Sequence, residues 1–287
     1  RDVERSRGLG DVYKRQGMDQ ASQFDKWKSA KEISELVQLV AFNRKGYQKN
    51  DVLNDYHFEF IQADSTAESS TQFKAGNKEI VDRNVYTYAF QNGLYLENFV
   101  SGYMSEKRFK HTCSVAKLAR EFAVANGIDG KKAYIAGMLH DIAKEMGKEA
   151  SMLYVIQNKI ELDDYDRVED TLLHAKIGAD IVKKKYHFTQ EMQDAILYHT
   201  TGRAGMTKLD KIIYIADKIE ETRNYEGVET FRKLAKQNME EAIRWHIEEM
   251  TIPQMITKQR LLHPLSVLAR NDLLKRRIFK GGLEFYA

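Results

Sequence analysis

Four histidines and two aspartates in the second half of the chain have types and spacing that suit a hydrolytic metal centre. In chain order they are a lone histidine, an adjacent His-Asp pair, two further histidines and an aspartate: His111, His140, Asp141, His174, His199 and Asp217. Imidazole nitrogens and carboxylate oxygens are common ligands in metal-dependent hydrolases. Because a carboxylate has two oxygens, Asp141 can contact the ion that His140 holds and also a second ion.

Helices must position these side chains, since apolar residues recur at helical spacing around them. In residues 133–144 this spacing predicts one helix, from which His140 and Asp141 would project about 100° apart. His111 is expected to begin another helix that ends at Gly127. Such helices would turn their ligands toward one shared interior.

The later part of the pattern follows the same logic. His174 would lie at the start of a helix, His199 at the end of the next helix and Asp217 inside a third. A single histidine beside an apolar stripe is more often a hydrogen-bonded core residue than a ligand. Six such residues in this order, separated by roughly one helix and a loop each, favour a shared metal site. The other histidines have no such context and are interpreted as surface or structural residues: His57, His187, His246 and His263.

Three further features near this pattern could bind phosphate. Lys144 is three residues after Asp141, so the predicted helix would place both on one face. Arg223 follows Asp217 and offers a planar fork for two phosphate oxygens. The loop after His199 offers hydroxyls and a backbone amide, from Thr200, Thr201 and Gly202. Each feature has an ordinary alternative: a solvated helix end for Lys144, a surface charge for Arg223 and a helix stop for the loop.

Composition limits the kind of protein. The 287 residues are enough for two domains, and 43% hydrophobic residues can fill a core while 30% charged residues cover it. The sequence contains no apolar run of roughly 18 residues, which argues against a membrane span and favours a cytoplasmic protein. A net charge of +3 gives no reason to expect nucleic acid as a partner. Cys113, the one cysteine, is interpreted as an inert thiol.

The segments around the pattern resemble a known family. The resemblance is carried by FKHTCSVAKLA, AGMLHDIAKEM, HAKIGADIV and YHTTGRAGMTKLDKIIYIADKIEETR, within roughly residues 105–275. They are similar to the HD-domain hydrolases that split diadenosine tetraphosphate symmetrically into two ADP. YHTTGR followed by ADKIEETR is the specific part, because the whole HD superfamily shares the bare pattern of histidines and aspartates.

The resemblance implies an all-helical domain with a metal site. In the family the first histidine, the His-Asp pair and the last aspartate hold iron. The matching residues here are His111, His140, Asp141 and Asp217. His174 and His199 match positions that hold a second ion or lie at the phosphates. One or two iron ions are therefore expected, although manganese or zinc would suit the same ligands.

The same resemblance implies a mechanism. The metal would activate water for in-line attack on an inner phosphorus of a dinucleoside polyphosphate, and ADP would leave. Asp141, Lys144 and Arg223 would act in catalysis. The residues expected to contact the substrate or ADP are His111, Lys144, His174, His199, Thr200, Thr201, Gly202 and Arg223. A homodimer is left open, and neither a membrane nor nucleic acid is expected as a partner.

Two other kinds of protein remain as alternatives. One is another HD-superfamily phosphohydrolase that acts on nucleotides or cyclic dinucleotides. The Gly-Tyr-Pro motif that cyclic dinucleotide phosphodiesterases usually carry does not occur in the sequence. The other alternative is a non-catalytic nucleotide-sensing module, against which the presence of all six candidate ligands argues.

The first hundred residues resemble a different family. From Gly17 to Leu96 they are similar to the C-terminal half of nicotinate-nucleotide adenylyltransferase, which has a Rossmann-like α/β fold. LVQLVAFNR predicts a buried strand, and a Ser-Ser-Thr run before a helix suits triphosphate binding. The family usually has arginine where Lys74 stands, so a bidentate phosphate contact is lost. The matching residues are Trp27, Lys28, Ser69, Ser70, Thr71 and Lys74.

The sequence thus predicts a mainly α protein, in which an all-helical HD domain follows an incomplete α/β nucleotidyltransferase half. The expected divisions are an extraneous segment 1–16, the adenylyltransferase half 17–99, the HD domain 105–250 and a helical C-terminal extension 251–287. The Gly-rich turn and the histidines that bind nucleotide in that fold do not precede Gly17. Adenylyltransferase activity is therefore expected to be absent, whereas an intact fusion would combine NAD synthesis with dinucleotide clearance.

Overall fold

The computed structural model describes residues 13–43, 46–62, 70–169 and 172–280. Contacts divide the chain into two compact units, Arg1–Phe73 and Lys74–Ala287. The first unit has a small parallel sheet with short helices, and the second has helices joined by turns. The predicted class, mainly α with a preceding α/β part, is confirmed. Among the helices of the described ranges, none combines the length and the apolar composition that crossing a bilayer requires.

Three parallel strands form the sheet in the described part of the α/β unit, in the order β1–β2–β3. The strands are β1 (Tyr13–Gly17), β2 (Gln38–Phe42) and β3 (Glu59–Ile61). The helices are α1 (Met18–Ala21), α2 (Ala30–Leu36) and α3 (Asp51–Asp55), with a 3₁₀ turn at Phe24–Lys26. Parallel neighbours need a crossover connection, which the helices supply. Leu39, Val40 and Ala41 of the middle strand are buried, as predicted for this segment.

The start of this unit differs from the sequence prediction. β1 begins at Tyr13 and pairs along its whole length with β2, with Tyr13 opposite Gln38 and Gly17 opposite Phe42. Residues 13–16, which the sequence assigns to an extraneous segment, are therefore part of the sheet. The strand reads YKRQG and contains no apolar alternation, so it carries no hydrophobic strand signal.

The second unit consists of consecutive helices. The short α4 (Ser70–Lys74) crosses the boundary between the units. The next helices are α5 (Arg83–Gln91), α6 (Leu96–Ser101), α7 (Glu106–Ala125), α8 (Gly130–Leu139), α9 (Lys148–Asn158), α10 (Asp164–Val168), α11 (Leu173–Tyr186), α12 (Gln190–Leu197) and α13 (Lys208–Ile219). The C-terminal part contains α14 (Val228–Gln237), α15 (Met239–Trp245), a π-helical segment His246–Thr251, α16 (Ile252–Thr257) and α17 (Pro264–Lys280).

α13 is the central helix of this unit. It packs against α7, α8, α12, α14 and α15, and Ile212, Ile213 and Ile215 are all buried. The isoleucines give α13 a wide apolar face for this packing, although the helix also carries charged residues such as Asp210 and Lys211. α7 and α8 approach each other closely because Gly137 lacks a side chain: a Cβ there would lie 2.7 Å from Ala116 Cα. This close approach brings the helix that carries the first histidine next to the helix that precedes the His-Asp pair.

The helical unit begins earlier than the sequence predicts. α5 packs on α11, where the ring of Phe90 stacks on that of Tyr186 with 3.6 Å between centroids. The hydroxyls of Tyr86 and Tyr186 are 2.8 Å apart. Residues 74–99, expected in the adenylyltransferase half, thus belong to the helical unit, and the boundary follows Phe73. This aromatic packing joins residues about 100 positions apart in the chain, and the family resemblance does not contain that information.

α7 is longer than predicted at its start. It begins at Glu106 and not at His111, because the Ser105 side chain caps it and accepts from the Arg108 amide at 3.3 Å. His111 therefore lies in the second turn. The predicted end is confirmed, since α7 stops just before Gly127, whose φ of +69° is the left-handed conformation of a helix stop.

α8 is shorter than predicted at its end. It stops at Leu139, so the pair His140 and Asp141 follows the helix and does not lie inside it. The chain continues in tight turns, in which the Lys144 amide donates to the Asp141 carbonyl at 2.9 Å. Side chains three residues apart eclipse in such turns, so Lys144 and Asp141 share a face for a different reason than predicted. The apolar spacing runs on into buried Ile142, which is why the pattern did not reveal the helix end.

Candidate metal centre

The six predicted ligands meet at one place inside the helical unit. Five segments supply them: α7, the turn after α8, α11, the turn after α12, and α13. His174 is the second residue of α11, His199 lies two residues past α12 and Asp217 is in the last turn of α13, as the sequence predicts. Asp141 is 3% exposed and is the residue that all four histidines approach.

One oxygen of Asp141 faces the first group of ligands. Its Oδ2 lies 3.5 Å from His140 Nε2 and 3.9 Å from His111 Nε2. Oδ1 of Asp217 completes the group, at 3.2 Å from His111 Nε2 and 3.7 Å from His140 Nε2. The nitrogens of His111 and His140 and the oxygen of Asp217 are close enough to one another to share an ion.

The other oxygen of Asp141 faces the second group. Its Oδ1 lies 3.2 Å from His174 Nε2 and 3.5 Å from His199 Nε2. The two Nε2 atoms of these histidines are 3.2 Å apart. The carboxylate of Asp141 therefore lies between two sets of ligand atoms, with one oxygen toward each set.

Backbone carbonyls fix the orientation of two of the rings. His140 Nδ1 lies 2.6 Å from the Gly137 carbonyl, and His199 Nδ1 lies 2.7 Å from the Ile196 carbonyl. A carbonyl can only accept, so each Nδ1 must carry the proton and donate it. The Nε2 atoms, which face Asp141, are then free of a proton in the neutral rings and present lone pairs, as metal-binding histidines do.

The charges in the centre keep its carboxylates ionised. Burial tends to raise the pKa of Asp141, but His140, His174 and His199 hold that pKa below its usual range. Burial also opposes ionisation of Asp217, whose pKa is nevertheless held well below the usual value by Lys218 and the neighbouring histidines. Two negative charges therefore lie side by side in the centre, on the buried Asp141 and on the partly buried Asp217.

The histidines respond in opposite directions to the same charges. Burial lowers the pKa of His140, but Asp141 and Asp217 outweigh burial and raise it to about 10. Burial lowers the pKa of His199 to about 4, and the positive charge of His140 adds to that shift. The two acids thus favour a positive charge on His140, which lies between them. A metal cation bound by the same residues would provide that charge instead.

The residues present fit a metal ion. Among the described residues, His140 Nε2 is a buried polar atom without a hydrogen-bond partner, although it points toward two carboxylates. A buried polar atom without a partner is costly unless something binds it. Imidazole nitrogens combined with carboxylate oxygens suit iron, manganese or zinc. The donor set therefore supports the prediction of a metal, without distinguishing among these ions.

Two arginines and a lysine border the acids. Arg223 donates through Nη2 to Asp217 Oδ1 and through Nε to the Asp217 carbonyl, both at 2.8 Å. Arg108 donates through Nη1 to Asp141 Oδ2 at 2.8 Å. Lys144 Nζ lies 3.3 Å from His174 Nδ1, and burial lowers the pKa of this lysine. The predicted cations Lys144 and Arg223 are thus beside the ligands.

Three residues beside the centre were not predicted from the sequence. Arg108 lies one helical turn before His111, so spacing along α7 could have identified it. Lys218 donates to the His199 carbonyl at 2.9 Å, and burial lowers its pKa to about 8. Glu220 accepts from His111 Nδ1 at 3.0 Å. For Lys218 and Glu220 only adjacency to Asp217 could have served as a signal.

The loop after His199 is less open to phosphate than predicted. The Gly202 amide donates to the Tyr198 carbonyl at 2.8 Å, and φ of Gly202 is +69°, so the loop is a helix stop. The Thr201 hydroxyl donates to the Gly202 carbonyl at 3.0 Å, and Thr201 is buried. Phosphate binding by these two residues would require those bonds to break, and a phosphate role for Thr200 stays a prediction.

The structure describes four of the side chains that resemble the adenylyltransferase: Trp27, Lys28, Thr71 and Lys74. Trp27 packs on Phe24, with 5.3 Å between ring centroids, as a core aromatic would. Lys28, Thr71 and Lys74 are exposed. Ser69 lies outside the described residues, and α4, which begins at Ser70, has five residues.

The histidines without a ligand context occupy other environments. His57 and His187 have left-handed φ angles of 53° and 51°. His246 is buried, stacks on Phe231 with 4.7 Å between centroids and lies 3.0 Å from the Tyr214 hydroxyl. His263 lies 5.3 Å from the Tyr165 ring. These contacts agree with the structural roles that the sequence suggests.

Known proteins are similar to this chain over the same residues. Residues 108–222 match the family model of the HD domain. A symmetrical bis(5'-nucleosyl)-tetraphosphatase of Bacillus subtilis is 37% identical over 172 residues, which cover 60% of this chain and 91% of that protein. A probable nicotinate-nucleotide adenylyltransferase/Ap4A hydrolase of Mycoplasma genitalium is 30% identical over 241 residues, which cover 81% of this chain and 68% of that protein.

A solved structure has the same helical fold. The crystal structure of a "predicted HD superfamily hydrolase involved in NAD metabolism" from Clostridium acetobutylicum is 36% identical, with a TM-score of 0.60. The similarity covers 63% of this chain and 96% of that chain. The chain spans about two thirds of the length of the Mycoplasma protein, in which both resemblances occur together.

Proposed function

Because this chain belongs to the HD-domain family of symmetrical bis(5'-nucleosyl)-tetraphosphatases, we propose that it hydrolyses diadenosine tetraphosphate to two molecules of ADP. The observation that carries the proposal is the buried carboxylate of Asp141, whose two oxygens face two separate groups of ligand atoms. A carboxylate between two ions is a recurring feature of sites that hydrolyse phosphate esters and anhydrides.

The six ligands divide between two positions in this proposal. The first ion would be held by His111, His140, Asp217 and Oδ2 of Asp141, and the second by His174, His199 and Oδ1 of Asp141. The centre is metal-dependent, and iron is proposed from the family resemblance. Manganese and zinc suit the same mixture of nitrogen and oxygen donors.

When bound, the metal would supply a Lewis acid that lowers the pKa of water and withdraws charge from phosphate oxygens. The protein's task is to hold the ligands in place beforehand, which the carbonyls of Gly137 and Ile196 do for His140 and His199. In the reaction a bond forms between the water oxygen and an inner phosphorus. The bond from that phosphorus to the bridging oxygen breaks, ADP leaves with the electron pair, and the proton of water is released.

Arg108, Lys144 and Arg223 would hold the polyphosphate. The two arginines donate to Asp141 and Asp217, and their side chains are 27% and 36% exposed. They can therefore turn toward a polyanion that arrives from solvent, while Lys144 approaches from the side of His174. Donors placed where charge develops on phosphoryl oxygens supply most of the rate enhancement in such reactions.

The remaining parts of the proposal concern partners and location. The substrate is a dinucleoside polyphosphate and the product is ADP, and a homodimer is left open. The cytoplasm is the proposed location, from composition and from the family. The α/β unit is proposed to lack adenylyltransferase activity, since, among its described residues, Trp27 packs on Phe24 in the core and Lys28 and Thr71 are exposed.

The direct test is a metal-reconstitution assay. The purified chain is treated with a chelator and then supplied, without oxygen, with Fe²⁺, Mn²⁺ or Zn²⁺ before diadenosine tetraphosphate is added. We expect the chelated protein to be inactive and ADP to appear with at least one of the ions. A chain that binds these ions, as measured by metal analysis, and still releases no ADP would contradict the proposal.

A further inference from the structure

Glu220 is a carboxylate with no solvent exposure at the edge of the metal centre. It lies one residue past α13, and its Oε1 accepts from His111 Nδ1 at 3.0 Å. The amide and the hydroxyl of Thr222 donate to its Oε2 and Oε1 at 2.7 and 2.6 Å. The carboxylate is therefore locked by Thr222 while it contacts a ring of another helix.

The contact to His111 differs from those of the neighbouring rings. His140 and His199 are held by backbone carbonyls of their own segments, at Gly137 and Ile196. His111 lies inside α7, where the backbone carbonyls are used by the helix itself. Its Nδ1 meets a side chain from beyond α13, so this ring alone of the three is oriented by a residue that can be substituted.

We propose that Glu220 is a positioning residue, which holds His111 with Nε2 toward Asp217 and so sets the affinity of the first ion. The proposal rests on the metal centre described above. A carboxylate that accepts from a ligating histidine fixes which nitrogen carries the proton and makes the other nitrogen more basic. His111 Nε2 indeed points at Asp217 Oδ1, 3.2 Å away.

The backbone around Glu220 supports a fixed position for the carboxylate. Arg232 of α14 donates through Nη2 to the Glu220 carbonyl at 2.7 Å. Arg223 Nε lies 3.6 Å from Glu220 Oε1, so a positive charge balances the buried carboxylate. Glu220 has no exposed surface through which it could reach substrate, which argues for an indirect role.

Glu221 provides a matched control. It is the next residue, carries the same charge and also contacts α7, where the Ser114 hydroxyl donates to its Oε1 at 3.0 Å. It is exposed, however, and does not contact His111. The test therefore compares Glu220→Ala and Glu220→Gln with Glu221→Gln. The first two change the residue that contacts His111, whereas the third removes a neighbouring carboxylate that contacts α7 at Ser114.

The test measures Mn²⁺ binding by the free-ion electron paramagnetic resonance signal, together with ¹⁵N chemical shifts of His111 in the metal-free chain. Glu220→Ala should weaken binding of one Mn²⁺ by about 10- to 100-fold, and Glu220→Gln by less, since an amide oxygen still accepts. In the Ala chain the His111 shifts should change from one tautomer to a mixture. At saturating Mn²⁺ the kcat should return close to that of the unmodified chain, and Glu221→Gln should change none of these quantities.

The outcomes distinguish the inference from the proposed function. Unchanged Mn²⁺ affinity in a folded Glu220→Ala chain would overturn the positioning role, as would a low kcat at saturating Mn²⁺. If Glu220→Ala does not fold, Glu220→Gln carries the test, because the amide preserves the shape of the carboxylate. A third outcome is that Glu220→Ala weakens Mn²⁺ binding although the unmodified chain releases no ADP. That result would support the positioning role and reject the proposed hydrolysis.

Discussion

The two units of the chain differ in where packing places the residues that resemble a known site. In the helical unit, ligands from five segments meet around Asp141, with ligand atoms 3.2 to 3.9 Å apart. In the α/β unit, Trp27 packs against Phe24 in the core, while Lys28 and Thr71 are exposed. Both units contain residues that resemble a known site, and the described structure gathers those of the helical unit around one carboxylate.

A resembling residue can take part in chemistry only where the fold brings its partners within contact distance. Buried acids and oriented imidazoles attract a cation only when packing holds them together against their mutual repulsion and desolvation. The helical unit provides that packing through α13 and the close approach of α7 and α8. We therefore expect substitutions inside the centre to reduce metal binding and hydrolysis strongly. In contrast, we expect an adenylyltransferase assay of the α/β unit to detect no product.

The largest effect is expected for Asp141→Asn. The amide has nearly the same shape, but it is uncharged and offers one oxygen, so it can serve only one of the two ligand groups. Bound metal and hydrolysis of diadenosine tetraphosphate should both fall to background, while helical content by circular dichroism stays the same. Asp180→Asn, an acid on α11 that accepts from the Tyr154 hydroxyl outside the centre, is the control. Full activity of Asp141→Asn with added metal would contradict the proposed role of Asp141 as a metal ligand.

Arg223→Ala should have the next largest effect. The guanidinium donates to Asp217 and is proposed to bind phosphate, so its loss removes a fixed donor from the transition state. The expected decrease in kcat is on the order of 10²- to 10³-fold, measured at saturating metal and substrate. The products should still be two ADP. Arg120→Ala, which changes an exposed arginine of α7, should not alter kcat; equal effects of the two substitutions would argue against a specific role for Arg223.

Gly137→Ala tests the packing that unites the centre. The added Cβ would lie 2.7 Å from Ala116 Cα, so α7 and α8 must separate. We expect a loss of about 1 to 3 kcal/mol in the free energy of unfolding, as for other overpacked cores. Metal affinity should also fall, because the Gly137 carbonyl orients His140. In Gly102→Ala the new Cβ meets only the Phe99 carbonyl, at 3.8 Å, and denaturation curves should be nearly unchanged.

No effect at all is expected when the α/β unit is tested. Incubated with ATP and nicotinate mononucleotide, the chain should form no dinucleotide, since Trp27 packs on Phe24 in the core and Lys28 and Thr71 are exposed. The measurement is chromatography of the products against a heat-inactivated sample. Dinucleotide above that background would contradict the proposed inactivity of the α/β unit.

The sequence predicted the ligands of the centre better than it predicted the elements that hold them. The order and spacing of His111, the His-Asp pair and Asp217 can be read from the sequence alone, and the structure brings these residues together. The end of α8 was missed, because the apolar spacing of a helix continues through turns that bury Ile142. The division after Phe73 depends on contacts between residues far apart in the chain, which the sequence pattern does not report.

The supporting residues were missed for a related physical reason. Glu220 contacts His111 only because α13 and α7 pack side by side, and no local pattern reports that contact. The expectation of a free amide at Gly202 was wrong, because in this left-handed helix stop the amide donates to the Tyr198 carbonyl. Local patterns therefore reveal which side chains can do chemistry, whereas the partners that orient or block them depend on the fold.

The most direct test of the account is the position of water attack on diadenosine tetraphosphate. The metal-loaded chain is incubated in ¹⁸O-labelled water, and the nucleotides are separated and analysed by mass spectrometry. A preorganised centre allows one register of the polyphosphate, because a shift by one phosphate would misplace the reacting atoms by ångströms. We expect ADP as the sole nucleotide product, with the label in the terminal phosphate of half of it. ATP and AMP in equal amounts would contradict symmetrical hydrolysis.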